Sequence, residues 1–367
     1  MNKRNICTLA VIACSITMIL TSCEKEDDHI SYDEGKKKDD HISYDEDENG
    51  DKLNYYLFSD TKEAVINNGN VWSGELDIPS EIKINGMAYS VTGIAWRAFY
   101  KSNELTKVRI PKTLVNVIHH VLSGDPEING AVSQECMNPF ESCKVLRSIE
   151  VDTNNPSMKS VDGVIFSKDG TGLYCYPAGI NYENYVVPDG VTWIGAGAFE
   201  GNEYIVSVEL PSTVEKLCGN AFWNCTKLES VILSEKLTVI GGAVFRGCSN
   251  LKSITIPSGI KRINDYTFSG CSSLTELYLP LGITQIGHLA FNECKFKRLV
   301  IRGIIDERDL DKYIFGGMDI STIIYTQTSE VDKFKKIYDG VVLPLDSLNS
   351  SGTRSAVRFN LPDSGDQ

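Results

Sequence analysis

The sequence predicts a mainly β repeat solenoid, a stack of coils of about 23 residues each, and three recurrences carry that prediction. A phenylalanine followed three residues later by cysteine returns at Phe222/Cys225, Phe245/Cys248, Phe268/Cys271 and Phe291/Cys294, always 23 residues on. Between these phrases runs an apolar triplet spaced L-x-x-I-x-I, as in Leu251, Ile254, Ile256 and in Leu274, Leu277, Leu279. The prolines that follow such triplets, Pro188, Pro211, Pro257 and Pro280, sit on the same 23-residue grid, with Ser234 at the missing node.

Each part of a coil has a physical role. The triplet is a short strand whose apolar members point inward, and its β-branched residues favour that state. Proline cannot donate a ladder hydrogen bond, so the strand stops there. A second pair spaced V-x-x-I, such as Ile260/Ile263 and Ile283/Ile286, crosses the opposite side, and the phenylalanine fills the centre. One coil cannot bury both of its faces, so coils must stack, with neighbouring strands about 4.8 Å apart. Periodicity leaves handedness and curvature open.

In chain order, residues 1–22 read as an export signal: Lys3 and Arg4 precede an apolar stretch from Ile6 to Leu20, too short to span a bilayer. "LTSC" at Leu20–Cys23 is similar to the lipobox of bacterial lipoproteins, which makes Cys23 the expected acylated N-terminus of the mature chain. Residues 23–50 form an expected acidic, disordered tether containing the duplicated phrase "DDHISYDE" at 27–34 and 39–46. Within it Asp45, Asp47, Asn49 and Gly50 match the start of a calcium loop, but Tyr56 stands where the bidentate glutamate is needed.

The folded domain is expected over 51–345. Its first unit, "LNYYLFSDTKEAVINNGNVWSGELDIP", lacks the period and reads as a cap. Phe99 to Phe140 is 18 residues longer than one period, the surplus falling at 119–136. Phe140 to Phe199 is 36 longer, and that surplus holds two apolar runs flanking Asp169-Gly170, a hairpin signal. Both insertions are expected to project from an edge of the stack, the hairpin alternatively padding it. Near the end, "ISTIIYTQTSEVDKFKKIYDG" reads as a strand followed by a short helix at 330–338 that caps the last coil, and 346–367 as a loose polar tail.

The phrases "LKSITIPSGIKRINDYTFSGC", "GVTWIGAGAF" and "NPSMKSVDGVIFSKDGTGLYCYP" resemble the leucine-rich repeat of the BspA-like surface lipoprotein family. The resemblance covers roughly residues 53 to 340. It implies a leucine-rich-repeat fold, display on the outer membrane facing outward, and adhesion to host matrix or bacterial surface proteins. The acidic "EKEDD" after Cys23 is similar to the signals that send such lipoproteins to the outer leaflet. The 18-residue insertion departs from the family pattern.

The recurring cysteine is masonry rather than chemistry. The position three after each repeat phenylalanine is Ser102, Cys143, Asn202, Cys225, Cys248, Cys271 and Cys294. Serine and asparagine cannot replace a thiolate or form a disulfide, but they share small size and the capacity to hydrogen-bond backbone at a turn. Collinear ligands do not converge on a metal either. Off this grid lie Cys136, Cys175 and Cys218, whose pairing the sequence leaves open.

These features predict a binding protein without catalysis, cofactor or metal. The formal charge of -13 argues against nucleic acid. Of the histidines past the tether, His119 and His120 lie in the insertion and His288 at a repeat turn; no phosphate-cradling loop appears. The expected partner is a protein on a host or bacterial surface, bound by a monomer that touches the membrane only through its lipid. The alternative is a surface carbohydrate-binding or uptake accessory protein, for which the tryptophans Trp72, Trp96, Trp193 and Trp223 form no platform in sequence.

The candidate binding surface is the outward row of the triplet strands, because strand side chains alternate. Coil by coil it is Arg109, Glu150, Glu209, Ile232, Thr255, Tyr278 and Val300, charged first and largely apolar later. The row beside it, Lys107, Ser148, Ser207, Ser230, Ser253, Glu276 and Arg298, is mostly small. Ile232, Thr255, Tyr278 and Val300 are therefore the predicted partner-binding stripe, with cross-strand stabilisation of the ladder as its competing role.

Overall fold

A computed structural model describes residues 53–67, 71–95, 97–115, 138–306, 313–319 and 321–348. The signal segment, Cys23, the tether, the insertion at 119–136 with His119 and His120, Cys136, Trp96 and residues 349–367 lie outside the described residues.

Each repeat places two short strands on opposite sides of a coil, and each strand pairs in parallel with its equivalent in the next coil. On one side the triplets form Asn184–Val186, Ser207–Glu209 and Ser230–Ile232, paired in register so that Ser207 faces Ser230 and Glu209 faces Ile232. The next coil keeps only a bridge between Ser230 and Ser253, after which Glu276–Leu279, Arg298–Ile301, Ile323–Thr326 and Val341–Pro344 continue in parallel. On the other side the V-x-x-I pairs form Trp193–Ile194, Lys216–Leu217 and Val239–Ile240, then Arg262–Ile263 with Gln285–Ile286. The prolines end their strands as turns: Pro188, Pro211, Pro257 and Pro280 each accept a hydrogen bond from the residue three ahead, and Ser234 does the same for Leu237.

The repeat phenylalanines stack through the centre. Phe199, Phe222, Phe245, Phe268, Phe291 and Phe315 lie 4.8 to 6.3 Å apart with nearly parallel rings. Tyr176 extends the spine at 4.9 Å from Phe199, and Phe99 stacks on Phe140 at 5.3 Å. Around Phe99, Phe199, Phe222, Phe245, Phe268 and Phe291 the chain turns through two left-handed positions, two before the ring and two after it. Arg97, Gly197, Asn220, Ala243, Tyr266 and Leu289 hold the first, and Lys101, Gly201, Asn224, Gly247, Gly270 and Glu293 the second, all at positive φ. No β-branched residue occupies either position, as the steric cost there requires.

The cysteine ladder is a column of donors. Cys225, Cys248, Cys271 and Cys294 are buried, and each thiol donates to the carbonyl of the phenylalanine 26 residues earlier, at 3.0 to 3.1 Å. Cys143 does so to Phe99. Serine and asparagine at these nodes also bind backbone, through different groups. The Ser102 hydroxyl accepts from the Trp72 amide, and the Asn202 amide donates to the Ile180 carbonyl at 3.0 Å. Thr322 continues the column, donating to the Phe296 carbonyl at 2.7 Å, a node that the Phe-x-x-Cys phrase does not reveal. Cys175 and Cys218, off the grid, are buried as well.

The hairpin is where expectation and structure part. Met158–Val161, Val164–Ser167 and Gly172–Cys175 form an antiparallel meander, and its last strand pairs in parallel with Trp193–Ile194. The meander therefore pads the stack and does not project from it. Its middle strand shows why: Ile165 packs with the core before it, Val164 and Phe166 with the core after it, so the strand is buried on both faces. The second turn falls at Asp169-Gly170 as predicted, and Asp162-Gly163, both at positive φ, make the first. Gly172 is required here, since a Cβ would run into the Trp193 ring.

Both caps are sheets. Tyr55–Phe58 and Glu63–Ile66 form a hairpin laid parallel on Met87–Ile94, which turns back through Asn85-Gly86 onto Glu81–Ile84. At the far end the strand Ile323–Thr326 appears as expected, but the helix is shorter, Val331–Lys335 rather than 330–338. It gives way to a further strand, Val341–Pro344, and a 3-10 turn, Leu345–Leu348, so the first residues of the expected tail are ordered against the last coil. The Tyr338 hydroxyl explains the early end: it donates to the Thr322 carbonyl at 2.8 Å and ties the chain back to the strand.

Candidate partner-binding face

The outward row of the triplet strands runs over three separate sheets of different character. At its start Ser73–Asp77, Glu104–Ile110 and Ser148–Val151 pair in parallel, setting Asp77, Arg109 and Glu150 side by side. Arg109 reaches Asp77 and Glu75 at 2.6 Å each and Glu150 at 3.2 Å, while Lys107 holds Glu150 at 2.6 Å. The hydrogen bonds that Arg109 donates to Asp77 and then Glu75 raise its pKa, and the bond donated by Lys107 lowers that of Glu150. Glu75, Asp77 and Glu150 thus share the two cations Lys107 and Arg109 in one ion-paired lattice, whose groups are engaged with one another before any ligand arrives.

The middle part is open. Val186, Glu209, Ile232 and Thr255 stand outward on successive coils, and Val186 and Ile232 are 66% and 60% exposed. Beneath them lies the small row: Ser207 donates to the Asn184 side chain at 2.6 Å, and Ser230 faces Ser253. The turns leading into these strands add Tyr182 and Tyr204, both exposed, with the Lys227 ammonium over the Tyr204 ring at 5.7 Å.

The last part is closed, which corrects the prediction for Val300. Val300 is 2% exposed. Its row neighbours in the ladder are the larger side chains of Tyr278 on one side and Tyr325 on the other. Tyr278 is itself half-buried, its hydroxyl donating to Glu276 at 3.2 Å and accepting from Arg298 at 3.3 Å. The turn Leu345–Leu348 packs on the two strands beyond. Of the predicted stripe, Ile232 and Thr255 are exposed, Tyr278 is half-buried and Val300 is buried. Val186, Tyr182 and Tyr204 escaped the sequence reading. Val186 lies 23 residues before Glu209, but its coil opens on the meander and not on a clear triplet.

Elsewhere Glu200 and Glu141 lie near Arg97. Glu141 takes the guanidinium at 2.8 and 3.1 Å, and burial, then Glu141, raises the Glu200 pKa. Among the described residues no group of three or more histidines, cysteines or carboxylates is arranged to hold a metal ion.

A model of the "BspA type Leucine rich repeat region" matches six copies over residues 80–168 and 171–298, more than half of the chain. The chain belongs to the BspA-type leucine-rich repeat family. The matched ranges take in the Phe-x-x-Cys coils and the meander except its turn at Asp169-Gly170. Solved structures similar to this BspA-type chain include a leucine-rich repeat protein from Eubacterium ventriosum, 22% identical, TM-score 0.48, covering 58% of this chain and 54% of the other. A second, from Bacteroides ovatus, is 19% identical, TM-score 0.45, covering 80% and 66%. The pneumococcal vaccine antigen PcpA is 16% identical, TM-score 0.44, covering 83% and 98%. The chain thus spans about half the length of the Eubacterium ventriosum protein. No curated protein matches it.

Proposed function

We propose that this BspA-type protein is a lipid-anchored binding module of the cell surface that holds a protein partner on the open middle of its triplet-strand face and performs no chemistry of its own. The observation that carries the reading is the exposure of Val186 and Ile232 on one row of a regular sheet, with Tyr182 and Tyr204 at its edge. Exposed β-branched side chains on a rigid floor offer apolar contact at little entropic cost, and tyrosines are enriched in protein interfaces. Family membership and the Leu20–Cys23 phrase support export and acylation. Among the described residues no helix is long and apolar enough to cross a membrane.

Purified full chain, in detergent, is tested against immobilised matrix proteins and bacterial surface proteins. The double variant Val186→Ser/Ile232→Ser should lose at least tenfold in affinity for the partner found, with an unchanged melting temperature. Equal binding by the variant would place the partner elsewhere, and binding to no protein would remove the function. Cys23→Ala should release the chain from membranes; full retention would reject the lipid anchor.

A further inference from the structure

A second surface lies on the edge where the chain turns around the phenylalanine spine, and it is distinct from the sheet face. Five consecutive coils each contribute one side chain: Trp223, Arg246, Tyr266, His288 and Tyr313. The Arg246 guanidinium lies over the Trp223 ring at 5.5 Å and over the Tyr266 ring at 5.1 Å, so it is clasped between them. His288 stands edge-on to Tyr266 at 5.7 Å and to Tyr313 at 5.4 Å, completing an unbroken row. The first four are half-buried and Tyr313 is exposed.

We propose that this row binds a linear acidic glycan, a chain of pyranose rings that bear carboxylates. Two features select that chemistry. Arg246 is held by aromatic faces alone: among the described residues no carboxylate or carbonyl accepts from its guanidinium, and none accepts from the Trp223 indole N–H. A cation fixed by two rings, with its in-plane N–H groups uncommitted, is preorganised for a planar carboxylate. The rings on either side supply flat apolar surface for the C–H faces of sugars, and polar groups such as Asn292, donating to Ser269 at 3.3 Å, lie on the same turns for hydroxyls. The spacing also suits a polymer. One side chain per coil, about 4.8 Å apart, gives a linear track and not a pocket. Nucleic acid also stacks on aromatic rows, but its continuous phosphate backbone calls for a basic stripe, and Arg246 is the one arginine or lysine among these five side chains. Sequence did not show the row because its members occupy different positions within their repeats: Trp223 and Arg246 follow the phenylalanine by one, while Tyr266 and Tyr313 precede it by two.

The test is affinity electrophoresis of the full chain, in detergent, through gels containing polygalacturonate, hyaluronan or neutral hydroxyethylcellulose. Retardation is expected in at least one of the two acidic gels, at least tenfold stronger than in the neutral gel and weakened by salt. Arg246→Gln and Trp223→Leu should each reduce it tenfold or more, while Val186→Ser/Ile232→Ser should leave it unchanged, which separates this site from the sheet face. Arg246→Lys, which keeps charge but loses the planar fork, should recover only part. Equal retardation by the neutral polymer, or acidic retardation untouched by Arg246→Gln in a variant with native circular dichroism, would overturn the proposal. So would no retardation in either acidic gel.

Discussion

Replacing Asn202 by alanine separates the two kinds of rung in the ladder. Its side chain is fully buried, and it holds two stretches of backbone at once. The amide nitrogen donates to the Ile180 carbonyl at 3.0 Å, and the oxygen accepts from the Tyr204 and Ile205 amides at 2.9 and 2.8 Å. Alanine leaves the Ile180 carbonyl and the buried Ile205 amide without these partners, whereas the Tyr204 amide sits in an exposed residue and can take water. At about 1–3 kcal/mol for each buried orphan, the loss is about 2–6 kcal/mol. Cys248→Ala is the control. The Phe222 carbonyl that receives its thiol also accepts from the Cys225 amide at 3.1 Å, so it keeps one bond when the thiol is removed. The cost is then about 1–2 kcal/mol, a net hydrogen bond plus a small void. Asn202→Cys should fall between, since a thiol there can reach the spine as its neighbours do but cannot hold the Ile205 amide. Urea unfolding followed by circular dichroism, with midpoints compared at equal slope, measures all three. If Asn202→Ala shifts the midpoint no more than Cys248→Ala, the reading of the column as backbone satisfaction is refuted.

Other outcomes follow from burial and charge. Desolvation raises the thiol pKa of the ladder cysteines, Cys143 to about 12, so alkylating reagents at pH 8 should leave Cys225, Cys248, Cys271 and Cys294 unlabelled in the native protein and label all four once it is unfolded without reductant; peptide mass spectrometry that finds linked pairs contradicts this. Glu200 has its pKa raised by burial first and by Glu141 second, so it binds a proton in the folded state that the unfolded chain has already released at neutral pH. Its contribution is therefore fully present below the unfolded carboxylate pKa and is lost as pH rises. Glu200→Gln should accordingly stabilise the protein more at pH 8 than at pH 5, and denaturation curves with identical increments at both pH values would disprove the assignment. Val300→Ser should lower stability by about 1.5–3 kcal/mol through lost apolar burial, whereas exposed Ile232→Ser should change it by about 0.5 kcal/mol or less. Matched thermal melts decide this, and equal shifts would put the two side chains in equivalent surroundings.

The strong regularities of this protein were legible because repetition writes the same contact many times. The 23-residue grid gave the strands, the proline turns, the phenylalanine spine and the buried cysteine column, and Ser102 and Asn202 already showed that the column serves backbone and not reactivity. Where the grid was interrupted, sequence could place a hairpin at Asp169-Gly170 but not decide whether it projected. That depended on Ile165 and Phe166 finding two separate cores to fill, which no local pattern records. The same holds for the candidate site. Alternation along the strands named Ile232 and Val300 alike as outward, and both are outward. Only the neighbours across the ladder distinguish them, because Tyr278 and Tyr325 flank Val300 while Glu209 and Thr255 leave Ile232 open. Direction is set by the backbone and can be read from one strand. Exposure is set by the volume of side chains from other coils, and the turn-edge row of Trp223, Arg246 and Tyr266 likewise exists only once coils are stacked. Sequence therefore determined what repeats, and the tertiary structure decided what is left uncovered.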